Sequence, residues 1–229
     1  MLKAIIFDFN GVILDDEPLH FKAMQEAVAG LDIILTEKDY WEKYLPLDDR
    51  ECLDAICRDH AVRLSEEQHA QLIETKIASY NRQIHNSYPL FAGAAQCIET
   101  AAESYPLALA SGARREEIES TLETVNLKHH FLVIVAAEDF TRGKPHPESF
   151  LLALKQLNIV MGSTTAEIKP EECLVIEDSI SGISGARAAG MRCLAVSNSY
   201  PTEKLLEADK VVSSLEDITL EILESVFKY

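Results

Sequence analysis

Short apolar runs return along most of this chain, and each is preceded by a stretch whose apolar residues fall three or four positions apart. Helical spacing over Ala94 to Ser104 leads to a run at Leu107 to Ala110, and Arg115 to Val125 leads to Leu132 to Ala136. Glu148 to Leu157 leads in the same way to Cys173 to Ile176. Ile180 to Ala189, stopped by Gly190, leads to Arg192 to Val196. Unbroken apolar runs of this length predict strands buried on both faces, and their alternation with helices predicts a parallel sheet covered on both sides. Near the N-terminus Ile5-Ile6-Phe7 reads as a first strand, followed at once by Asp8 and Gly11. The pattern over Glu17 to Gly30 is helical, with Leu19, Ala23, Ala27 and Val28 on one face. From Thr36 to about Asn86 the spacing is helical throughout, with no strand signal. Thr36 with Asp39 and Ser65 with Gln68 resemble capping boxes, and Pro46 separates two of the helices. An all-helical unit is therefore expected as an insertion behind the first strand. The polar, small-residue piece from Val160 to Ile168 is expected to be an extended surface loop, and there is no tandem repeat.

A length of 229 residues leaves room for one domain plus such an insertion. The net charge of -17 argues against a nucleic-acid partner, whose binding needs clustered Lys and Arg. The five cysteines contain no C-x-x-C pair, and Cys173 and Cys193 lie in strand-like runs, so reduced thiols are expected. Lys3 is followed too soon by Asp8 for a signal sequence, and no apolar run approaches the length that spans a bilayer. A cytoplasmic monomer acting on a small molecule is the expectation.

Open α/β sheets place their chemistry beyond the carboxyl ends of the strands, and that is where this chain concentrates its polar residues. Asp8 follows the first strand, Ser111-Gly112 the second, and Glu177-Asp178-Ser179 a later one, while Gly143-Lys144-Pro145 falls in a loop. Taken alone, Asp8 reads equally as a helix cap or as a nucleophile toward phosphorus. With the other stretches it completes a set: a hydroxyl with backbone N–H groups to cradle phosphate, a lysine to clamp charge, and carboxylates to hold magnesium.

Four ordered stretches carry a resemblance to a known family. They are Asp8-Phe9-Asn10-Gly11-Val12 with Asp15-Asp16-Glu17-Pro18-Leu19-His20, then Ser111, then Gly143-Lys144-Pro145-His146-Pro147, and Glu177-Asp178-Ser179-Ile180-Ser181-Gly182-Ile183 leading to Ala189-Gly190-Met191. Together they resemble the haloacid dehalogenase superfamily, within it the β-phosphoglucomutase-like phosphatases. The resemblance implies an α/β fold with a Rossmann-like parallel sheet core over residues 1–15 and 88–229 and an inserted all-helical cap domain over 16–87. Such a cap, joined by two connections near Asp15 to Glu17 and Ser87 to Pro89, is expected to move as a unit over the site. The resemblance further implies that Asp8 is the nucleophile and a metal ligand, and that Ser111 and backbone near Gly112 hold the phosphoryl oxygens. Lys144 would offset charge between Asp8 and phosphate, and Asp178 would ligate the metal, with Glu177 ligating directly or through water. A Mg2+ cofactor and a cis peptide before Pro145 are implied as well.

Asn10 departs from the pattern. The phosphatases of this family carry an aspartate there that serves as general acid and base, help worth about 10²- to 10⁴-fold. An amide cannot carry that proton, although the Asn10 backbone carbonyl can still ligate metal. The implied function is thus a magnesium-dependent phosphatase or phosphotransferase on small phosphorylated metabolites, working through an aspartyl phosphate and slowed by Asn10. Alternatives are a phosphonate hydrolase, with Lys38 or Lys43 as Schiff-base lysine, and a non-catalytic phosphate-binding or regulatory protein. His20, Asp15 and Asp16 are candidate proton relays, though acids at a helix start also simply complement its dipole. His129, His130 and His146 lack metal-ligand spacing. Arg114 and Arg115 read equally as substrate contacts or solvated charges, and Tyr40, Trp41 and Tyr44 read as core of the helical block.

Overall fold

A computed structural model of the chain describes residues 1–45, 47–84, 88–162 and 166–228. Pro46 and Ser87, used above as a separator and a connection, Asn86 at the end of the helical block, and residues 163–165 of the expected loop lie outside the described residues. The chain divides into two compact units, one built from Met1–Asp15 with Pro89–Tyr229 and the other from Asp16–Tyr88.

Strand β1 (Ala4–Phe7) is wholly buried, as its unbroken apolar run requires. The chain then builds the helical unit: α1 (Glu17–Val28), the short α2 (Glu37–Asp39) continuing into a π-helical turn at Tyr40–Tyr44, α3 (Asp49–Asp59) and α4 (Glu66–Ile84). Both expected caps are present. The Thr36 hydroxyl accepts from the Asp39 N–H (3.1 Å), while Ser65 and Gln68 exchange bonds reciprocally, Ser65 N–H to Gln68 Oε1 (2.9 Å) and Gln68 N–H to Ser65 Oγ (3.2 Å). α1 packs along α4, and Met24, Val28, Leu35, Tyr40, Tyr44, Leu53 and Ile56 form this unit's core. Tyr40 and Tyr44 are thus packing residues, as their spacing predicts.

After α5 (Ala94–Ala102) the chain alternates: β2 (Leu107–Ala110), α6 (Arg115–Thr124), β3 (Phe131–Val135), α7 (Glu148–Met161), β4 (Cys173–Glu177), α8 (Ile180–Ala188), β5 (Arg192–Val196), β6 (Lys210–Val212) and α9 (Leu220–Ser225). The six strands among the described residues are all parallel, in the order β3-β2-β1-β4-β5-β6. One sheet face presents Ala4, Ile6, Ala108, Ala110, Val133, Val135, Cys173, Val175, Cys193 and Ala195 to Phe150, Ala153, Leu154 and Leu157 of α7 and to Ile183 and Ala186 of α8. Small residues on the strands leave room for these helices. All five cysteines are free and buried, Cys173 and Cys193 on strands as their apolar runs imply.

The structure corrects the reading of the chain at two elements. α7 does not stop at Leu157; it runs on through Val160 and Met161, because no breaker intervenes until Gly162, whose φ of +72° ends it. The expected extended loop is shorter by that much. Edge strand β6 carried no signal, since three residues are too few to show a period.

Candidate active site

The carboxyl end of the sheet gathers the polar residues. Phe7 pairs with Leu109 of β2 on one side and with Ile176 of β4 on the other. Asp8, Ser111 and the Glu177-Asp178 pair therefore issue from the same end of three adjacent strands. The Asp8 N–H donates to the Ile176 carbonyl (3.0 Å), which holds Asp8 beside the tip of β4. Strand numbering reverses direction between β1 and β4, and a doubly wound sheet opens a crevice at such a switch point.

Lys144 arrives from the loop before α7, across the cis Lys144–Pro145 peptide that the resemblance implies. Its Nζ lies 2.7 Å from Asp8 Oδ1 and 2.6 Å from Glu177 Oε1. The Glu177 side chain is 0% exposed, and its second oxygen, Oε2, accepts from the N–H groups of Asp178 and Ser179 (2.8 Å each) and from the Ser179 hydroxyl (2.9 Å). That carboxylate fills the place where a side chain at residue 182 would sit: a Cβ on Gly182 would come 1.7 Å from Glu177 Oε1. Gly11 makes the same allowance on the other side. It turns at φ +76°, and a Cβ there would lie 2.0 Å from Asp178 Oδ2.

Three buried carboxylates surround one ammonium, and the titration of the group shows the surplus of negative charge. Burial lifts the Asp8 carboxyl to about 6, opposed by Lys144 and reinforced by Glu177. Burial, then the charges of Glu177 and Asp8, push Asp178 further, to about 8. Burial alone would lower the Lys144 ammonium, but Asp8 and Glu177 carry it upward instead. Glu177 is also opposed by burial, yet Lys144 and the Ser179 donors hold it below the usual range. Asp8, Glu177 and Asp178 each offer a carboxylate oxygen within 4.8 Å of the others. All these donors are hard oxygens and the surplus is negative, so the residues present fit a magnesium ion.

Ser111 is buried, its N–H donating to Val135 O (3.0 Å) and its hydroxyl accepting from the Ala113 N–H (3.1 Å). Gly112 is exposed, with open space where a Cβ would stand. Arg115 is engaged by Glu119 and Asp139, whereas the largely exposed Arg114 only approaches Glu138 (3.9 Å). The His129 and His130 rings lie 4.0 Å apart, tilted by 38°, and His146 Nδ1 accepts from the Glu148 N–H.

The helical unit contains a polar cluster of its own. Lys76 is buried, its Nζ 2.6 Å from Asp49 Oδ1 and 2.6 Å from His20 Nδ1. His20 Nε2 faces Asp16 (3.2 Å), which also accepts from Tyr80 OH (2.7 Å). Burial opposes ionisation of Asp16, but His20 and Tyr80 hold its carboxyl below the usual range. Lys43 is solvent-exposed and its ion pair with Asp39 (2.8 Å) raises it, the opposite of what a Schiff-base nucleophile needs.

Ser179, the last residue of the Glu177-Asp178-Ser179 stretch, caps α8 and braces Glu177, and Asn198, which no motif singles out, donates its side-chain N–H to the Gly11 carbonyl (2.8 Å). The signal available was position: Asn198-Ser199 follows the end of β5, as the other polar stretches follow their strands. Lys76 could not have been found this way, because nothing in a helical pattern marks one lysine as buried.

A doubly wound sheet with paired acids and a buried lysine at its switch point defines an α/β enzyme. The chain belongs to the haloacid dehalogenase-like hydrolase family, whose model matches residues 5–196. It is similar to the phosphorylated carbohydrates phosphatase of Thermotoga maritima, at 29% identity over 98% of this chain and 100% of that protein. Its similarity to the β-phosphoglucomutase of Bacillus subtilis is also 29%, over 97% of this chain and 94% of the relative. Among solved structures, a mutant CbbY from Rhodobacter sphaeroides in complex with xylulose-(1,5)bisphosphate superposes with a TM-score of 0.72, at 25% identity over 95% of this chain and 96% of that one.

Proposed function

We propose that this protein is a magnesium-dependent phosphatase or phosphotransferase of small phosphorylated carbohydrates that works through an aspartyl phosphate on Asp8. The observation that carries the reading is Lys144 Nζ, fixed between Asp8 and Glu177 with Asp178 alongside. The substrate class rests on a phosphorylated carbohydrates phosphatase and a β-phosphoglucomutase among the relatives, and on a similar structure that holds xylulose-(1,5)bisphosphate.

Asp8, the Asn10 carbonyl and Asp178 would hold the ion, and Glu177, with its oxygens already accepting from Lys144, Ser179 and Asp178, would set the lysine in place. When bound, magnesium supplies charge neutralisation on the phosphoryl oxygens. An Asp8 oxygen forms a bond to phosphorus as the bond to the sugar oxygen breaks, and the departing sugar oxygen takes its proton from solvent water. Lys144 keeps Asp8 ionised and draws the phosphoryl group toward it, while Ser111 Oγ donates to another of its oxygens. The oxygen of water, or of a second hydroxyl, then bonds to phosphorus as the Asp8 oxygen–phosphorus bond breaks, its proton passing to solvent and Asp8 returning to a carboxylate. Asn10 supplies no proton at either step, so turnover is expected to be slow.

The test is turnover of sugar phosphates with magnesium before and after Asn10→Asp. A gain on the order of 10²-fold is expected, lost again when Asp8→Asn is added. An Asn10→Asp protein that binds magnesium yet hydrolyses no phosphate ester would overturn the enzymatic reading in favour of phosphate binding without catalysis, which Asn10 is the observation to favour.

A further inference from the structure

The Asn10 carbonyl belongs to the same peptide plane as the Gly11 N–H, and that N–H donates to Leu14 O (3.1 Å). The next plane begins at the Gly11 carbonyl, which accepts from Asn198 Nδ2 (2.8 Å). Between the two lies the Gly11 Cα, at φ +76°, where the absence of a side chain removes the usual restraint on both dihedrals. The freedom that would let the Asn10 carbonyl swing is therefore concentrated at one residue. It is checked by a hydrogen bond on each side.

The first bond is local to the loop, whereas the second reaches in from the far side of β4. Asn198 stands just beyond β5, so the strand that pairs with β4 sets where its side chain can reach. The segment after β5 thus grips the loop that carries Asp8 and the Asn10 carbonyl, and Gly11 is the point at which that loop meets Asp178. Gly11 itself packs against the Asp178 carboxylate with no room for a Cβ, so a shift in one segment displaces the other.

We infer that Asn198 is a positioning residue for the magnesium site, fixing the Gly11 carbonyl so that the Asn10 carbonyl and the Asp178 carboxylate keep one separation. The inference rests on the proposed magnesium dependence, but concerns affinity and not chemistry. Residues that orient metal ligands without touching the metal typically cost 10- to 100-fold in affinity when replaced.

The experiment is calorimetric titration of the full chain with magnesium alone, comparing the unmodified protein with Asn198→Leu, near in shape but without the donor, and Asn198→Ala. The expected result is a magnesium dissociation constant raised about 10- to 100-fold in both variants, with melting temperatures in chelator unchanged. Where turnover is measured, excess magnesium should restore it with the substrate KM unaltered, a split that simple loss of packing would not produce. Unchanged magnesium affinity in either variant would overturn the inference and leave the proposed function standing. Loss of cooperative folding in both would overturn it too, by making Asn198 a general strut. Absence of magnesium binding by the unmodified chain would instead overturn the proposed function, and this inference with it.

Discussion

At Lys144, burial and ion pairing oppose each other, and the ion pairs win. Taking an ammonium out of water is costly, but two carboxylates within 2.7 Å and the face of the Phe150 ring 5.0 Å away surround it. The cost returns if the lysine is removed, because Asp8 and Glu177 would then be buried beside each other without a counter-charge. Lys144→Met is accordingly expected to lower stability in chelator by about 3–5 kcal/mol, the usual penalty for breaking a buried pair from one side. Urea unfolding measures it, and a variant as stable as the parent would show that the acids simply take up protons. Residues of this kind were only half legible in the sequence. Asp8, Lys144 and Asp178 could be named because acids and a lysine at strand ends and in loops signal chemistry. The bracing of Glu177 by Ser179 was not visible, since those bonds depend on how α8 meets β4.

Elements were more legible than their ends. Each helix is written locally, in apolar spacing and in caps, and each buried strand in an unbroken apolar run. The Ser65–Gln68 box is an instance in which four residues contain the whole signal, and α4 begins where it says. Ser65→Ala removes the side-chain acceptor for one N–H of that first turn. It should cost about 1 kcal/mol in denaturant unfolding of the helical unit, while magnesium affinity stays as it was. A loss of several times that size would mean that Ser65 has a further role. The end of α7 has a related, local cause: Ile159 and Val160 are exposed and contribute no apolar face, so the helix simply runs on until Gly162 breaks it.

At the scale of the whole molecule, a net charge of -17 meets a site that gathers still more negative charge. The pH dependence follows from the sign of the shifts. Asp178 titrates at about 8 and Asp8 at about 6 in the folded protein, whereas in the unfolded chain both fall near the ordinary value of about 3.9. The folded state therefore holds more protons across this window, and a group so raised contributes stability that is lost as pH rises through its folded pKa. In chelator the melting temperature is expected to fall by several degrees between about pH 5 and pH 8. Magnesium binds the ionised carboxylates and releases those protons, so millimolar magnesium should flatten the trend and bind more tightly as pH rises. A chelator-treated protein whose melting temperature rises over that interval would refute the assignment of a raised Asp178.

What the sequence determined by itself is what periodicity and local chemistry can encode: a parallel α/β core, a helical stretch between β1 and α5, and polar residues at the strand ends. The resemblance carried by Asp8, Ser111, Lys144 and Glu177-Asp178 extended this to a family, which the match over residues 5–196 bears out. Tertiary structure alone decided strand order, and with it the switch point between β1 and β4 that brings residues 8 and 178 together. It alone decided that Gly11 and Gly182 yield their side-chain space to carboxylates and that Asn198 reaches back to the Gly11 carbonyl. These contacts join residues up to 187 positions apart. No local pattern records them, because a hydrogen bond between distant segments is selected by where the sheet places their ends and not by what stands beside them in the chain.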